Sequence, residues 1–149
     1  MKQQIILMLV AIAAGAVLPV QAGLNVQLGK AFDHPIFAAF ASFIVGAVAL
    51  LVYLFFQKFE LSTLSNVREV PVAAWLGGIL GAFYVVAVII LAPKLGAALT
   101  FSLIVAGQMT VSLALDHYGM MGMPVSSINW QRLLGVALLI VGVILIRKF

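Results

Sequence analysis

The amino-acid sequence predicts an all-α integral membrane protein, a bundle of five transmembrane helices. Hydrophobic residues make up 65% and charged residues 8% of its 149 residues, and the mean hydropathy is +1.26. A soluble fold could not bury this much apolar surface, whereas several bilayer spans would. Five apolar stretches of membrane length are separated by polar or turn-forming segments. We expect one domain over residues 1–149, with helices over about 5–28, 36–56, 72–92, 97–117 and 131–147.

The composition also excludes several functions. The formal net charge is +4, but the basic residues lie singly between hydrophobic runs, so no nucleic-acid partner is expected. The absence of cysteine removes disulfides, thiolate chemistry and cysteine metal sites. Neither His34 nor His117 has a nucleophile or an intramembrane acid at useful spacing. We therefore expect no catalytic residues, no metal and no cofactor, and a protein that is not an enzyme.

The first span contains the most informative segment. Val20-Gln21-Ala22 has the small residues of a signal-peptidase site, but four hydrophobic segments would remain after cleavage, so we expect a retained first helix. Pro19 cannot donate to the carbonyl of Gly15, and its ring crowds that turn. Gly15 leaves room for the ring. The pair predicts a bend near mid-membrane and a hinge.

Two amides share one face of this helix. At 100° per residue, Gln21 and Asn25 lie within about 40° of each other, while Gln27 points elsewhere. Side-chain amides persist in a span mainly where they face a bundle interior or a wet cavity. The stripe predicts either part of a substrate-binding site or hydrogen bonds that join helices, each worth about 0.6 to 2 kcal/mol.

The later helices supply three further polar candidates. Tyr84 lies one turn beyond a Gly77-x-x-x-Gly81 pair in helix three, where it either lines a cavity or packs in the core with one hydrogen bond. Gln108 sits near the centre of helix four, with Ser112 about 40° away. A buried amide there needs a partner, and the amides of helix one are candidates.

The end of helix four and helix five predict different roles. Asp116 and His117 should lie at the mouth of the bundle, fully solvated. Asn129 is a plausible N-cap for helix five. Gly135 and Gly142, seven residues apart, give that helix a smooth face suited to close pairing with another helix, and so predict a dimer interface.

Lysine and arginine are balanced between the two faces of the membrane. Five spans place Lys2, Lys58, Arg68 and Arg132 on one face, and Lys30, Lys94, Arg147 and Lys148 on the other. Four residues against four make insertion in either direction about equally favourable. The balance predicts dual topology.

Five short segments carry a family resemblance. They are Gly15-x3-Pro19-x-Gln21-x3-Asn25-x2-Leu28-Gly29, the run from Trp75 to Tyr84, Pro93-Lys-Leu-Gly-Ala, Gly107-Gln108, and Asp116-His-Tyr-Gly119. Together they resemble the YdcZ-like inner-membrane exporter family over essentially the whole chain. That family is placed in the drug/metabolite transporter superfamily. The resemblance implies a five-helix half-unit of the bacterial inner membrane that works as an antiparallel pair.

A second resemblance concerns single helices. The run from Gly135 to Ile146 is similar to the dimerising last helix of small multidrug-resistance transporters. Those transporters keep a glutamate within helix one, and the comparable stretch here, residues 11–15, has none. Asp33, Glu60, Glu69 and Asp116 all fall in or beside loops. We therefore expect no coupling through a carboxylate inside the bilayer.

Three classes of function remain open at this point. The favoured one is a small-molecule exporter that works as an antiparallel homodimer, with a polar site of Gln21, Asn25, Tyr84, Gln108 and Ser112. A dual-topology channel would line its pore with the same amides. A non-transporting assembly or lipid-contacting protein would use every amide to join helices.

Overall fold

The computed structural model describes residues 2–57, 59, 62 and 67–149. Within these ranges the long helices are α1 (Lys2–Phe32), α2 (Pro35–Phe56), α3 (Leu76–Leu95), α4 (Ala97–Tyr118) and α5 (Trp130–Lys148). Short 3-10 helices, Val72–Trp75 and Met120–Gly122, precede α3 and follow α4. All five long helices are long and apolar enough to cross a membrane, which confirms the predicted fold class. Lys58 and Glu60, used in the sequence predictions, lie outside the described residues.

The chain divides into two compact units. The first unit is Met1–Pro93, which holds α1, α2 and most of α3, and the second is Lys94–Phe149, which holds α4 and α5. A single domain over residues 1–149 stays a prediction.

A very short turn joins α1 to α2. The sequence predicted a connection over residues 29–35, but α1 continues to Phe32, so only Asp33 and His34 lie between the helices. The backbone N–H of His34 donates to the Gly29 carbonyl at 3.2 Å, which closes the end of α1. The His34 Nδ1 accepts the Phe37 N–H at 3.2 Å, and Pro35 occupies the first turn of α2. The N–H groups of the first helical turn have no acceptor within the helix. A proline at this position therefore costs the helix no hydrogen bond.

Small residues let the three helices of the first unit approach one another. Ala38 and Ala39 of α2 are buried with Ile89 of α3, and Leu28, Val85 and Val86 pack around them. A Cβ added at Gly29 would lie 3.0 Å from the Ile89 Cγ2. Gly29 therefore lies at a helix contact, where a larger residue would force the Ile89 side chain to shift.

This packing occupies only one end of the first unit. Buried and half-buried residues fall within 22–29 of α1, 35–42 of α2 and 81–92 of α3, whereas residues 2–21 and 43–57 are exposed in the single chain. The unit is thus closed near the α1–α2 turn. Its other end leaves apolar helix surface for lipid or for another chain.

Two prolines lie inside helices. α1 continues through Pro19, which removes one hydrogen bond to the Gly15 carbonyl. The sequence predicts that helix three ends at about residue 92, just before Pro93, but α3 continues to Leu95. The break comes at Gly96, whose φ of 82° suits glycine. A proline near the last turn of a helix costs one hydrogen bond and does not by itself end it.

The second unit is a helical hairpin. Thr100 of α4 is almost fully buried, at 1% exposure, and its hydroxyl donates to the Gly96 carbonyl at 2.8 Å. α5 has no buried residue. The Asn129 Oδ1 accepts the Arg132 N–H at 2.9 Å, which confirms Asn129 as the N-cap of α5.

Candidate functional site

One pocket in the first unit brings together three of the five predicted site residues. Gln21 and Asn25, one turn apart on α1, and Tyr84 on α3 line it together with Leu18, Ala22, Val85, Val88 and Ile89. Its volume is about 10 Å³, enough for roughly one water-sized group. The pocket lies where the packed part of α1 ends, directly beside Pro19.

The Asn25 side chain is the unusual member of this pocket. Asn25 is only 4% exposed, yet no described residue hydrogen-bonds to its amide. No fully enclosed side-chain nitrogen or oxygen lacks a partner in the described part of the chain. The Asn25 amide atoms must therefore keep contact with the open space of the pocket. A buried amide that faces a small cavity without a protein partner is ready to bind a polar group from elsewhere.

The other two predicted site residues lie on α4 in the second unit. Gln108 is exposed and Ser112 is half-buried, and neither side chain hydrogen-bonds to a described residue. By contrast, the hydroxyls of Ser102 and Thr110 donate to the carbonyls four residues earlier, at 2.7 and 2.9 Å. Ordinary helix hydroxyls are thus satisfied locally, while the predicted site residues remain available. That they meet Gln21 and Asn25 stays a prediction.

The pocket carries no formal charge. Tyr84 is the only ionisable residue among its eight lining residues. No group of three or more His, Cys, Asp or Glu side chains that could hold a metal ion occurs among the described residues. What the pocket offers chemically is amide and phenol hydrogen bonding beside an apolar wall.

The expectation that Asp116 and His117 are fully solvated is wrong. The Asp116 carboxylate forms an ion pair with the Arg132 guanidinium. The same guanidinium donates to the Ser126 carbonyl at 2.6 Å, and the His117 Nδ1 accepts the Ile128 N–H at 3.2 Å. The sequence did not reveal these bonds because Asp116 and Arg132 are sixteen residues apart, on helices that an irregular connection separates.

We call Asp116, His117, Ser126 and Arg132 the α4–α5 clasp. The Ser126 N–H also donates to the Asp116 carbonyl oxygen at 2.8 Å, so side chains and backbone both close the connection. Gly119 makes this path possible: its φ is 59°, and an added Cβ would lie 2.6 Å from the Val125 Cγ2. The clasp thus gives Asp116 a structural role, because its carboxylate and its backbone carbonyl both hold the connection between α4 and α5.

The predicted dimer face on α5 borders an open apolar groove. Gly135 and Gly142 line it with Phe101, Ser102, Val105, Leu138, Leu139, Val143 and Ile146, and its volume is about 460 Å³. A Cβ added at either glycine would meet no atom within 4 Å. Nothing in the hairpin fills the face that the glycines create. In the first unit, a Cβ added at Gly15, the predicted companion of Pro19 in the hinge, would likewise meet no atom within 4 Å.

Sequence reasoning missed the apolar wall of the pocket. Val85, Val88 and Ile89 face it beside Tyr84. The spacing of residues 84, 85 and 88 along one helical face was a usable signal. In a span where every face is apolar, however, that periodicity does not distinguish a pocket wall from a lipid-facing surface.

Comparison with known proteins gives the chain its family. A family described as "Putative inner membrane exporter, YdcZ" matches residues 6–145. The inner membrane protein YdcZ of Escherichia coli (strain K12) is 31% identical over 137 residues, which cover 92% of this chain and 91% of that protein. No solved structure matches. Together with the five spans, these matches identify a multi-pass protein of the bacterial inner membrane, and the chain belongs to the family described as "Putative inner membrane exporter, YdcZ".

Proposed function

We propose that the protein exports a small molecule as an antiparallel, dual-topology homodimer, with a central polar site of Gln21, Asn25, Tyr84, Gln108 and Ser112. The observation that carries this proposal is the buried Asn25 amide, which has no partner among the described residues and opens into a pocket shared with Gln21 and Tyr84. If the Asn25 amide joined helices of the same chain, it would be bonded to a neighbouring helix of that chain.

The size of the pocket supports a site completed by a second chain. Ligand pockets usually enclose about 300–1,000 Å³, whereas this one has about 10 Å³. The exposed Gln108 amide would supply further hydrogen bonds from an inverted copy or from a closed state of the same chain. Two inverted copies reproduce the inverted-repeat design that builds a site at the midplane.

The apolar surfaces of the chain suit pairing within a membrane. The groove beside Gly135 and Gly142 is open to a partner helix, and small residues let helix backbones approach closely. The remaining exposed apolar surface contacts membrane lipid. The charge count of four against four allows both orientations that such a dimer needs.

The first unit has the parts that alternating access requires. It is packed near the α1–α2 turn and unpacked at its other end, and the pocket lies at the boundary between these regions. Pro19 adjoins that boundary, where a missing hydrogen bond lowers the cost of bending α1. We expect the exposed part of α1 to move about Gly15 and Pro19 while the packed part stays fixed.

Labelling of single cysteines tests the orientation. Gln3→Cys and Phe149→Cys, probed in separate proteins with a membrane-impermeant maleimide, should each react from outside in about half of the molecules. When the two variants are co-expressed, the cysteine at position 3 of one chain and the cysteine at position 149 of an inverted neighbour lie on the same face of the membrane and should cross-link. If one terminus is always outside and the other always inside, dual topology is wrong.

Flux measurements test the transport step. A thermal-shift screen of neutral amides, sugars and aromatic amines would select a solute, whose flux into proteoliposomes is then measured. A carrier predicts flux that saturates with solute concentration, whereas flux that rises without saturation indicates a channel. No flux for any stabilising solute, with a dimer intact, indicates an assembly protein.

A further inference from the structure

The pocket on α1 and α3 has a chemistry that selects among solutes. We propose that it binds the head group of an uncharged amphiphile, a primary amide or a hydroxyl attached to an apolar body. This inference rests on the proposed function, because it names the substrate class of the same site. Its evidence is the Asn25 amide, the volume of the pocket and the charge of its lining.

The volume sets the size of the group that enters. About 10 Å³ admits one water-sized group, and such a group needs two or more polar partners to be held in place. The Asn25 amide, the Gln21 amide and the Tyr84 hydroxyl line the pocket and have no hydrogen bond to described residues. They can both donate and accept. A group that does the same, such as an amide or a hydroxyl, fits this set of partners best.

The lining sets the charge of that group. An ion moved into this pocket would lose its hydration without gaining a counter-charge, since none of the eight lining residues is Asp, Glu, Lys, Arg or His. The ring face of Tyr84 could attract a cation, but one aromatic face compensates only part of the desolvation cost. Of the described acids, Asp116 is held by Arg132, and Asp33 and Glu69 lie outside the long helices.

The rest of the ligand must lie outside the pocket. Leu18, Val85 and Val88 form its apolar edge, and α1 is exposed on the N-terminal side of that edge. An apolar body placed there would remain in a hydrocarbon environment, where it loses nothing on binding. A purely polar solute such as a sugar would lose hydration along this edge without compensation.

A matched set of four probes tests the proposal. Benzamide, benzylammonium, benzoate and toluene share one ring and differ in head group. Binding of each radiolabelled compound to the full-length protein in nanodiscs is measured by equilibrium dialysis, with empty nanodiscs as the background. We expect benzamide to bind about tenfold more tightly than the other three, because only it satisfies the unpaired amides without burying a charge. Equal or tighter binding of benzylammonium would overturn the proposal.

Two variants locate the binding. Asn25→Leu should weaken benzamide binding about tenfold, while Gln27→Leu removes an amide from the same helix outside this pocket and should leave binding unchanged. Unchanged binding in Asn25→Leu contradicts the assignment. Asn25→Asp provides a second measurement if Asn25→Leu does not fold: it should lose benzamide binding and gain binding of benzylammonium.

The outcome can be separated from that of the proposed function. If benzamide binds through Asn25 but does not cross proteoliposome membranes, the head-group selectivity stands and the transport proposal fails. If benzamide does not bind while another solute shows saturable flux, the transport proposal stands and the neutral-head proposal fails.

Discussion

The two units of this chain differ in the pocket or groove that each leaves open. The first unit packs apolar residues around Ala38 and Ile89 but leaves the Asn25 amide without a partner among the described residues. The second unit bonds its polar ends through the α4–α5 clasp but leaves an apolar groove beside Gly135 and Gly142 open.

This difference separates a candidate binding function from a candidate assembly function. An unpartnered buried polar group gains most from a polar ligand, because leaving it unpaired costs about 1–3 kcal/mol. An open groove with small residues gains most from another helix, because close packing drives association in lipid. We therefore propose that the Asn25 pocket of the first unit holds the solute, and that the groove of the second unit pairs with a further helix while Gln108 and Ser112 complete the site.

The two units also differ in charge. If the helices cross the membrane in alternation, the first unit has Lys2, Lys58 and Arg68 on one face and Lys30 on the other. The second unit reverses this pattern. It places Arg132 on the first face, and Lys94, Arg147 and Lys148 on the other. Each unit therefore has three basic residues on one face and one on the other, in opposite senses. The whole chain is balanced because the charge asymmetries of the two units cancel.

The largest expected effect comes from breaking this cancellation. Arg147→Gln with Lys148→Gln should hold every N-terminus in the cytoplasm, and Lys2→Gln with Arg68→Gln should hold every N-terminus outside. Each double variant alone should lose transport of the screened solute, and the two co-expressed should recover it. Cysteine labelling at Gln3 and solute flux measure the two effects.

A charge-matched control accompanies this experiment. Lys2→Gln with Lys148→Gln removes one charge from each face and keeps the balance, at three against three. It should therefore retain both orientations and transport. Full transport by a double variant fixed in one orientation would contradict the antiparallel dimer.

The next largest effect concerns Gln108, whose side chain, unlike the clasp residues of the second unit, has no bonded partner among the described residues. Gln108 is a mid-span amide with no partner among the described residues, unlike the hydroxyl of Thr110, which bonds to the Ala106 carbonyl. Gln108→Leu should abolish transport while the protein still inserts and dimerises, since an exposed side chain contributes less than about 0.5 kcal/mol to folding.

Thr110→Val is the matched control for Gln108→Leu. It removes a locally satisfied hydroxyl from the same helix, so transport should stay near the wild-type rate. Wild-type flux in Gln108→Leu would remove Gln108 from the site. A loss of folding in that variant would instead show that the amide joins helices.

The smallest expected effect is a loss of stability from changes in the α4–α5 clasp and in the α1–α2 turn. Asp116→Asn should lower the free energy of unfolding by about 1 kcal/mol, because a half-exposed ion pair contributes little more than this. The side chains of Arg132 and Asp116 are 29% and 31% exposed. Transport and its pH dependence should not change, since the carboxylate belongs to the clasp. Chemical denaturation and flux across a pH series measure both quantities.

The α1–α2 turn gives a comparison for that variant. His34→Ala removes the N-cap of α2 and should cost a similar amount, about 1 kcal/mol, whereas His34→Asn keeps a capping acceptor and should cost less. A change in the pH dependence of transport in Asp116→Asn, absent in His34→Ala, would return Asp116 to the transport pathway.

Much of the fold followed from the sequence because the bilayer leaves few alternatives. A membrane span must satisfy its backbone internally, so apolar runs of this length become helices. The cap at Asn129 was also predictable, since N-capping depends on neighbouring residues alone. The ends of α1 and α3 were not predicted correctly, since α1 runs through Gly29 to Phe32 and α3 runs through Pro93 to Leu95, before the positive φ of Gly96.

The features of the candidate site also divide into those that the sequence predicts and those that depend on the tertiary structure. The sequence by itself determined that Gln21 and Asn25 share a face, that Tyr84, Gln108 and Ser112 lie within spans, and that no acid does so near the helix centres. Only the tertiary structure decided that Asn25 is buried beside Tyr84 with no partner among the described residues and that Asp116 is bound by Arg132. The physical reason is that helical periodicity fixes a direction around one helix, whereas burial and pairing depend on which other helix lies in that direction.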